Sequence, residues 1–168
     1  MKNESGNWCV FSPCRTWRYV LRHFWGEPGE TERAIAWIAL NPSTADENRL
    51  DPTLRRIRGF STAWGYNCFY MLNAFGFRAT DPKVMRAAAD PVGPENDRWI
   101  LDVTGKVDRT ICAWGRHATF LNRQERLLTL LAGRALFYLE KTKDGIPKHP
   151  LYLRADLLPK PMGRAVVG

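Results

Sequence analysis

The chain has 168 residues, 45% of them hydrophobic and 25% charged, and carries a net charge of +8. That balance is ordinary for a soluble globular protein and large enough for one domain with a full core, expected over residues 1–168. No apolar run approaches the ~20 residues that span a bilayer. The start, MKNESGNWCV, lacks the apolar stretch of a signal peptide, so no membrane association and a cytoplasmic location are expected.

Taken in chain order, Trp8 to Phe11 and Thr16 to Leu21 predict a hairpin across Ser12-Pro13, and Gly26 to Glu30 a turn. Ala34 to Leu40 is apolar throughout, the pattern of a strand covered on both faces, and it runs straight into the polar loop Asn41-Pro42-Ser43-Thr44-Ala45-Asp46. Asp51-Pro52 pairs an N-cap with a proline at the first helical position, so a helix should run to about Trp64 and stop at Gly65. A second strand follows from Asn67 to Leu72, ending at Asn73. Asp81-Pro82 opens a short helix by the same device, and Pro94 opens another that ends near Thr104-Gly105. A third strand spans Arg109 to Ala113, a helix Ala118 to Leu131, and a fourth strand Arg134 to Leu139. Lys141 to Tyr152 reads as a loop.

Strands alternating with helices predict an α/β fold: a three-layer αβα sandwich around a mainly parallel four-stranded sheet, with the N-terminal hairpin added. Right-handed crossovers would bring the carboxyl ends of all four strands to one edge, where α/β proteins bind ligands. The polar segments Asn41 to Asp46, Asn73 to Arg78, Trp114 to His117 and Lys141 to His149 would then surround one cleft. The alternative for the first of these is an ordinary turn, which uses the same residue types.

The net positive charge favours an anionic partner, nucleic acid or a nucleotide, with DNA foremost. Arg116 and Lys148 belong to the basic rim these loops would form, as candidate phosphate contacts. Arg78 either binds a phosphate or pairs with Asp81. Phe75 and Phe77 flank Gly76 and offer a stacking face for a nucleobase, or else core bulk. Asp46 either reaches back into the cleft as a base or stabilising charge, or closes its own loop; Asp51 reads as an N-cap. His117, at a helix start, is either a neutral site residue or plain surface. Cys68 and Cys112 look like core residues. Cys9 and Cys14 form an isolated C-x₄-C pair without the second pair usual in iron–sulfur sites, and no zinc signature occurs, so neither metal nor cofactor is expected.

The motifs LNPSTAD, DPT, FYMLNAFGFRATDP, AWG and KDGIPKHPLYL resemble a bacterial and phage family labelled only as a domain of unknown function. A more distant resemblance is to the uracil-DNA glycosylase superfamily. Its motifs occur here in the same order: Asn41-Pro42 after the first core strand, Asn73 after the next, Trp114-Gly115 after the third, and His149-Pro150 after the last. This resemblance implies that Asn41 positions water, Ser43 touches a phosphate, Asn73 reads a base edge, and His149 stabilises charge on a departing base. The chain departs from that pattern by lacking an Asp within the first motif, and by carrying Leu151 and Tyr152 where a Ser and an intercalating side chain are usual.

Overall fold

The computed structural model describes residues 5–163. Seven strands, β1 (Trp8–Phe11), β2 (Arg18–Phe24), β3 (Ala34–Ala39), β4 (Cys68–Asn73), β5 (Thr110–Cys112), β6 (Leu136–Tyr138) and β7 (Lys160–Pro161), form one sheet in the order β1-β2-β4-β3-β5-β6-β7. The central β4, β3, β5 and β6 run parallel. β1 and β2 pair antiparallel to each other and, through β2, to β4, while β7 pairs antiparallel to β6. The expected hairpin is therefore part of the sheet rather than an appendage, and the sheet is mixed and seven-stranded rather than four-stranded. β7 escaped sequence reading because two residues ending in a proline carry no strand periodicity.

Helices α1 (Pro52–Ala63), α2 (Pro82–Ala87), α3 (Asn96–Thr104) and α4 (Arg123–Leu130) cover both faces. The pleat of β3 divides its side chains between two cores. Ile35, Trp37 and Ala39 pack with Leu54, Ile57 and Phe60 of α1. Ala36 and Ile38 share the opposite core with Met85 of α2, Ile100 of α3 and Leu127 of α4. On the α1 side the Trp37 indole stacks on Trp64 at 5.6 Å and donates Nε1–H to Ser61 Oγ at 3.1 Å; the hydroxyl in turn donates to the Ile57 carbonyl at 2.8 Å. α1 starts as its sequence dictates, with Asp51 accepting from the Leu54 N–H at 2.9 Å and Pro52 in the first turn, and Gly65 follows it with a φ of +90°.

The helix expected from Ala118 to Leu131 is two pieces. A 3-10 segment over Arg116–Asn122 breaks at Phe120, Leu121 and Asn122 before α4 begins. Tertiary contacts override the helical pattern here. The Phe120 ring packs on Phe75 at 5.9 Å, and the buried Arg123 guanidinium turns inward, donating Nε–H to the Ala74 carbonyl at 2.7 Å and pairing with Asp97.

Candidate active site

The strand order turns between the parallel β3 and β5: from β3 the chain moves to β4 on one side, and from β5 to β6 on the other. β3 leads into α1 on one face, and β5 leads toward α4 on the other. Adjacent parallel strands whose connections leave on opposite faces open a crevice at their carboxyl ends, where α/β proteins place ligands. A cleft of about 630 Å³ occupies that position. Segments after all four parallel strands line it: Leu40 to Thr44 in part, then Ala79 to Pro82 in part, Trp114 to His117, and finally His149, Leu151 and Tyr152. Asp51, Pro52 and Thr53, at the start of α1, complete the wall. The volume lies within the 300–1,000 Å³ range typical of small-molecule sites.

Two local devices shape it. Gly115 has a φ of +77°, which suits glycine, and its N–H donates to the Pro147 carbonyl at 2.9 Å, bracing the loop after β5 against the loop carrying His149. A Cβ at Gly115 would lie 3.6 Å from the Cβ of His149, so the two backbones run side by side there. The Asn41 amide donates to the carbonyls of Pro42 (3.2 Å), Phe77 (3.3 Å) and Ala79 (2.8 Å), stitching the loop after β3 to the segment after β4. With its nitrogen so occupied, Oδ1 is the atom Asn41 has left to offer.

His149 lines the cleft and caps a short 3-10 helix, its Nδ1 accepting from the Leu151 N–H at 3.4 Å. An accepting Nδ1 assigns the ring proton of the neutral form to Nε2. Burial holds the His149 pKa below the usual 6.5, and the Asp51 carboxylate acts in the opposite sense. A neutral N–H donor and a carboxylate are thus set in the walls of one cleft. Arg116 and His117 are exposed at its rim, and Tyr152 stands 94% exposed beside it.

The other expected site residues are distributed unequally. Asn41 and Ser43 line the cleft with His149 and Arg116. Asp46 is not in the wall; its Oδ1 accepts from the N–H groups of Asn48 (2.9 Å) and Arg49 (3.0 Å), the local turn that competes with a site role for any loop aspartate. Asn73 is buried at 1% exposure beneath the site, where its Oδ1 accepts from the buried Arg18 at 3.4 Å. Phe75 is core. Phe77 and Arg78 line a separate groove that adjoins the cleft, and Arg78 makes no ion pair with Asp81, which caps α2 instead. Lys148 faces Glu140 at 3.5 Å and does not line the cleft. Sequence reading passed over Asp51 as a cleft residue because its capping role explains it fully. The available signal was topological: a helix that starts beyond a parallel strand points its N-cap toward the ligand edge.

Cys9, Cys68 and Cys112 are buried and Cys14 is exposed. Burial pushes the thiols of Cys9 and Cys68 up to about 12, whereas hydrogen bonds from Ser12 and Thr16 lower Cys14 to about 7. Among the described residues no group of three or more His, Cys, Asp or Glu side chains is placed to hold a metal ion, and no helix is long and apolar enough to cross a membrane.

Fold and cleft together define a mixed α/β protein with a ligand-sized crevice at a topological switch point. The family model described as Protein of unknown function (DUF1643) matches residues 18–151, and the chain belongs to that family. Comparison with curated proteins and with solved structures returns no match.

Proposed function

We propose that the cleft binds a nucleotide unit, free or within a nucleic acid, DNA foremost, and hydrolyses its N-glycosidic bond. The observation that carries this reading is the neutral His149 imidazole and the Asp51 carboxylate set in one nucleoside-sized cleft. Breaking that bond puts negative charge on the departing base and positive character on the sugar. The Nε2–H of His149 is suited to the first and Asp51 to the second. Asn41 Oδ1 would accept from the attacking water, with Asp51 taking its proton. Arg116, exposed at the rim, favours a phosphorylated substrate. The reading also draws on the order of the strand-end motifs, which resembles that of the uracil-DNA glycosylase superfamily, and on helices on both faces of the sheet. On this reading the central strands correspond to a glycosylase-like three-layer sandwich. With Asn73 and Phe75 buried, base selection passes to Thr53, Thr80, His117 and Tyr152.

The test is incubation with single- and double-stranded oligonucleotides carrying uracil, hypoxanthine and other altered bases, with released base read by mass spectrometry. Release by the wild type that disappears in His149→Ala and Asp51→Asn supports hydrolysis. A second reading, a non-catalytic nucleic-acid binder, is favoured by the engagement of Asp46 in its own turn, which leaves the first motif without a free carboxylate. Salt-sensitive binding without release across the panel would select it.

A further inference from the structure

A second groove of about 470 Å³ opens beside the cleft, sharing Ser43, Thr44, Ala79 and Thr80 with it. Its far wall carries Arg15 and Arg78. Both guanidinium groups lie over one ring, that of Phe11, at 4.0 Å and 4.7 Å from its centroid. Stacking on a shared ring orders both guanidinium groups at the wall of one groove. Neither arginine forms a salt bridge among the described residues. Arg78 donates through Nη1 to the Arg15 carbonyl at 3.3 Å, and its Nε is buried without a partner. Arg15 itself has a φ of +58°, a conformation that side chains other than Gly, Asn and Asp seldom adopt. The loop holds it there through the Arg15 N–H to Ser12 carbonyl bond at 2.8 Å. Across the groove, Ser43 Oγ and Thr80 Oγ1 lie 3.2 Å apart at the passage into the cleft.

We propose that this groove is a phosphate subsite, in which Arg15 and Arg78 bind the phosphoryl oxygens and Ser43 and Thr80 contact the ester side, of a ligand whose remaining part fills the cleft. Guanidinium pairs with adjacent hydroxyls are the donor set that phosphate takes. The inference rests on the nucleotide reading for what fills the cleft, but not for the groove itself. The phosphate is a terminal monoester of a free nucleotide or a diester within a strand.

Titration calorimetry separates these points with four kinds of probe: nucleoside 5′-monophosphates, the matching nucleosides, ribose 5-phosphate, and a short oligonucleotide without terminal phosphate. Arg15→Asn removes the charge while tolerating the positive φ, and Arg78→Lys keeps charge but loses the planar fork. Phosphate-bearing probes should bind the wild type more tightly than their phosphate-free partners and lose roughly tenfold or more in each variant. Nucleoside binding should be unchanged. Preference for the monophosphate assigns a free nucleotide, and preference for the oligonucleotide a strand; both support the subsite. Ribose 5-phosphate bound as tightly as the nucleotides, and sensitive to Arg15→Asn, supports the subsite and overturns the nucleobase reading. Equal affinity for nucleoside and nucleotide, unmoved by either variant, overturns the subsite and leaves the nucleobase reading standing.

Discussion

Asp51 has two duties that substitution separates. Its Oδ1 accepts the Leu54 N–H at 2.9 Å, capping α1, and its charge raises the pKa of His149 across the cleft. Asparagine keeps a capping oxygen and removes the charge; alanine removes both. Loss of an N-cap costs about 1 kcal/mol, in a range of roughly 0.5–2. Loss of the charge at the positive end of the helix adds about 0.3–1 kcal/mol in either variant. Asp51→Ala should therefore be less stable than Asp51→Asn by about 1 kcal/mol, or ~2–4 °C in Tm for a chain of this size. The His149 ring should titrate lower in both variants, by the same amount, because the charge alone sets that difference. Thermal unfolding measures the first quantity and an NMR pH titration of the imidazole the second. Equal stability of the two variants would refute the capping argument; an unmoved His149 would refute the coupling across the cleft.

Ser61→Ala leaves the buried Trp37 indole N–H without its acceptor and should cost about 1–3 kcal/mol by chemical denaturation, with Ser61→Thr less damaging. His23 is held at about 4, below the usual 6.5, by burial first and then by Arg58 and Arg22. The unfolded chain takes up that proton first, so stability present above pH 6.5 should decline as the pH falls and level off near 4; His23→Phe should flatten the slope in denaturation series across that window. Cys14, lowered to about 7 and exposed, should be alkylated by iodoacetamide at neutral pH in the native protein, while Cys9, Cys68 and Cys112 react only on unfolding; mass spectrometry of modified peptides reads the difference.

Elements bounded by local chemistry were legible in the sequence. The Asp-Pro starts of α1 and α2, and the apolar run of β3, fall within a residue or two of expectation because caps, prolines and periodicity act over a few positions. The convergence of strand ends on one cleft was legible in part, since handed crossovers leave few alternatives: Asn41, Ser43 and Thr44, Trp114 to His117, and His149 line it, whereas Ala79, Thr80 and Pro82 stand where Asn73 to Arg78 were expected. What failed was anything decided at a distance. The break before α4 is dictated by Phe75, Ala74 and Asp97, far away in the chain. The fate of Asn73 turns on whether a polar side chain finds its partner inside the protein, and Arg18, fifty-five positions away, supplies it, whereas Asp46 closes its own loop, the local alternative its position offered. Arg15 was invisible because its role comes from sharing the Phe11 ring with a residue sixty-three positions on.

The pairing of β2 has a consequence for how the chain is made. Arg18 is 2% exposed, and its guanidinium donates to the Ala45 carbonyl and the Asn73 side chain, both synthesised after it. β2 likewise pairs with β4 over Cys68 to Met71, also made after it. On a ribosome the N-terminal hairpin must therefore wait, solvated and edge-exposed, until the β3-α1-β4 crossover has closed behind it. Within the sheet, the first two strands to be made join it only once β4 exists, and a charge that ends up sealed in the interior stays wet until its last partner arrives.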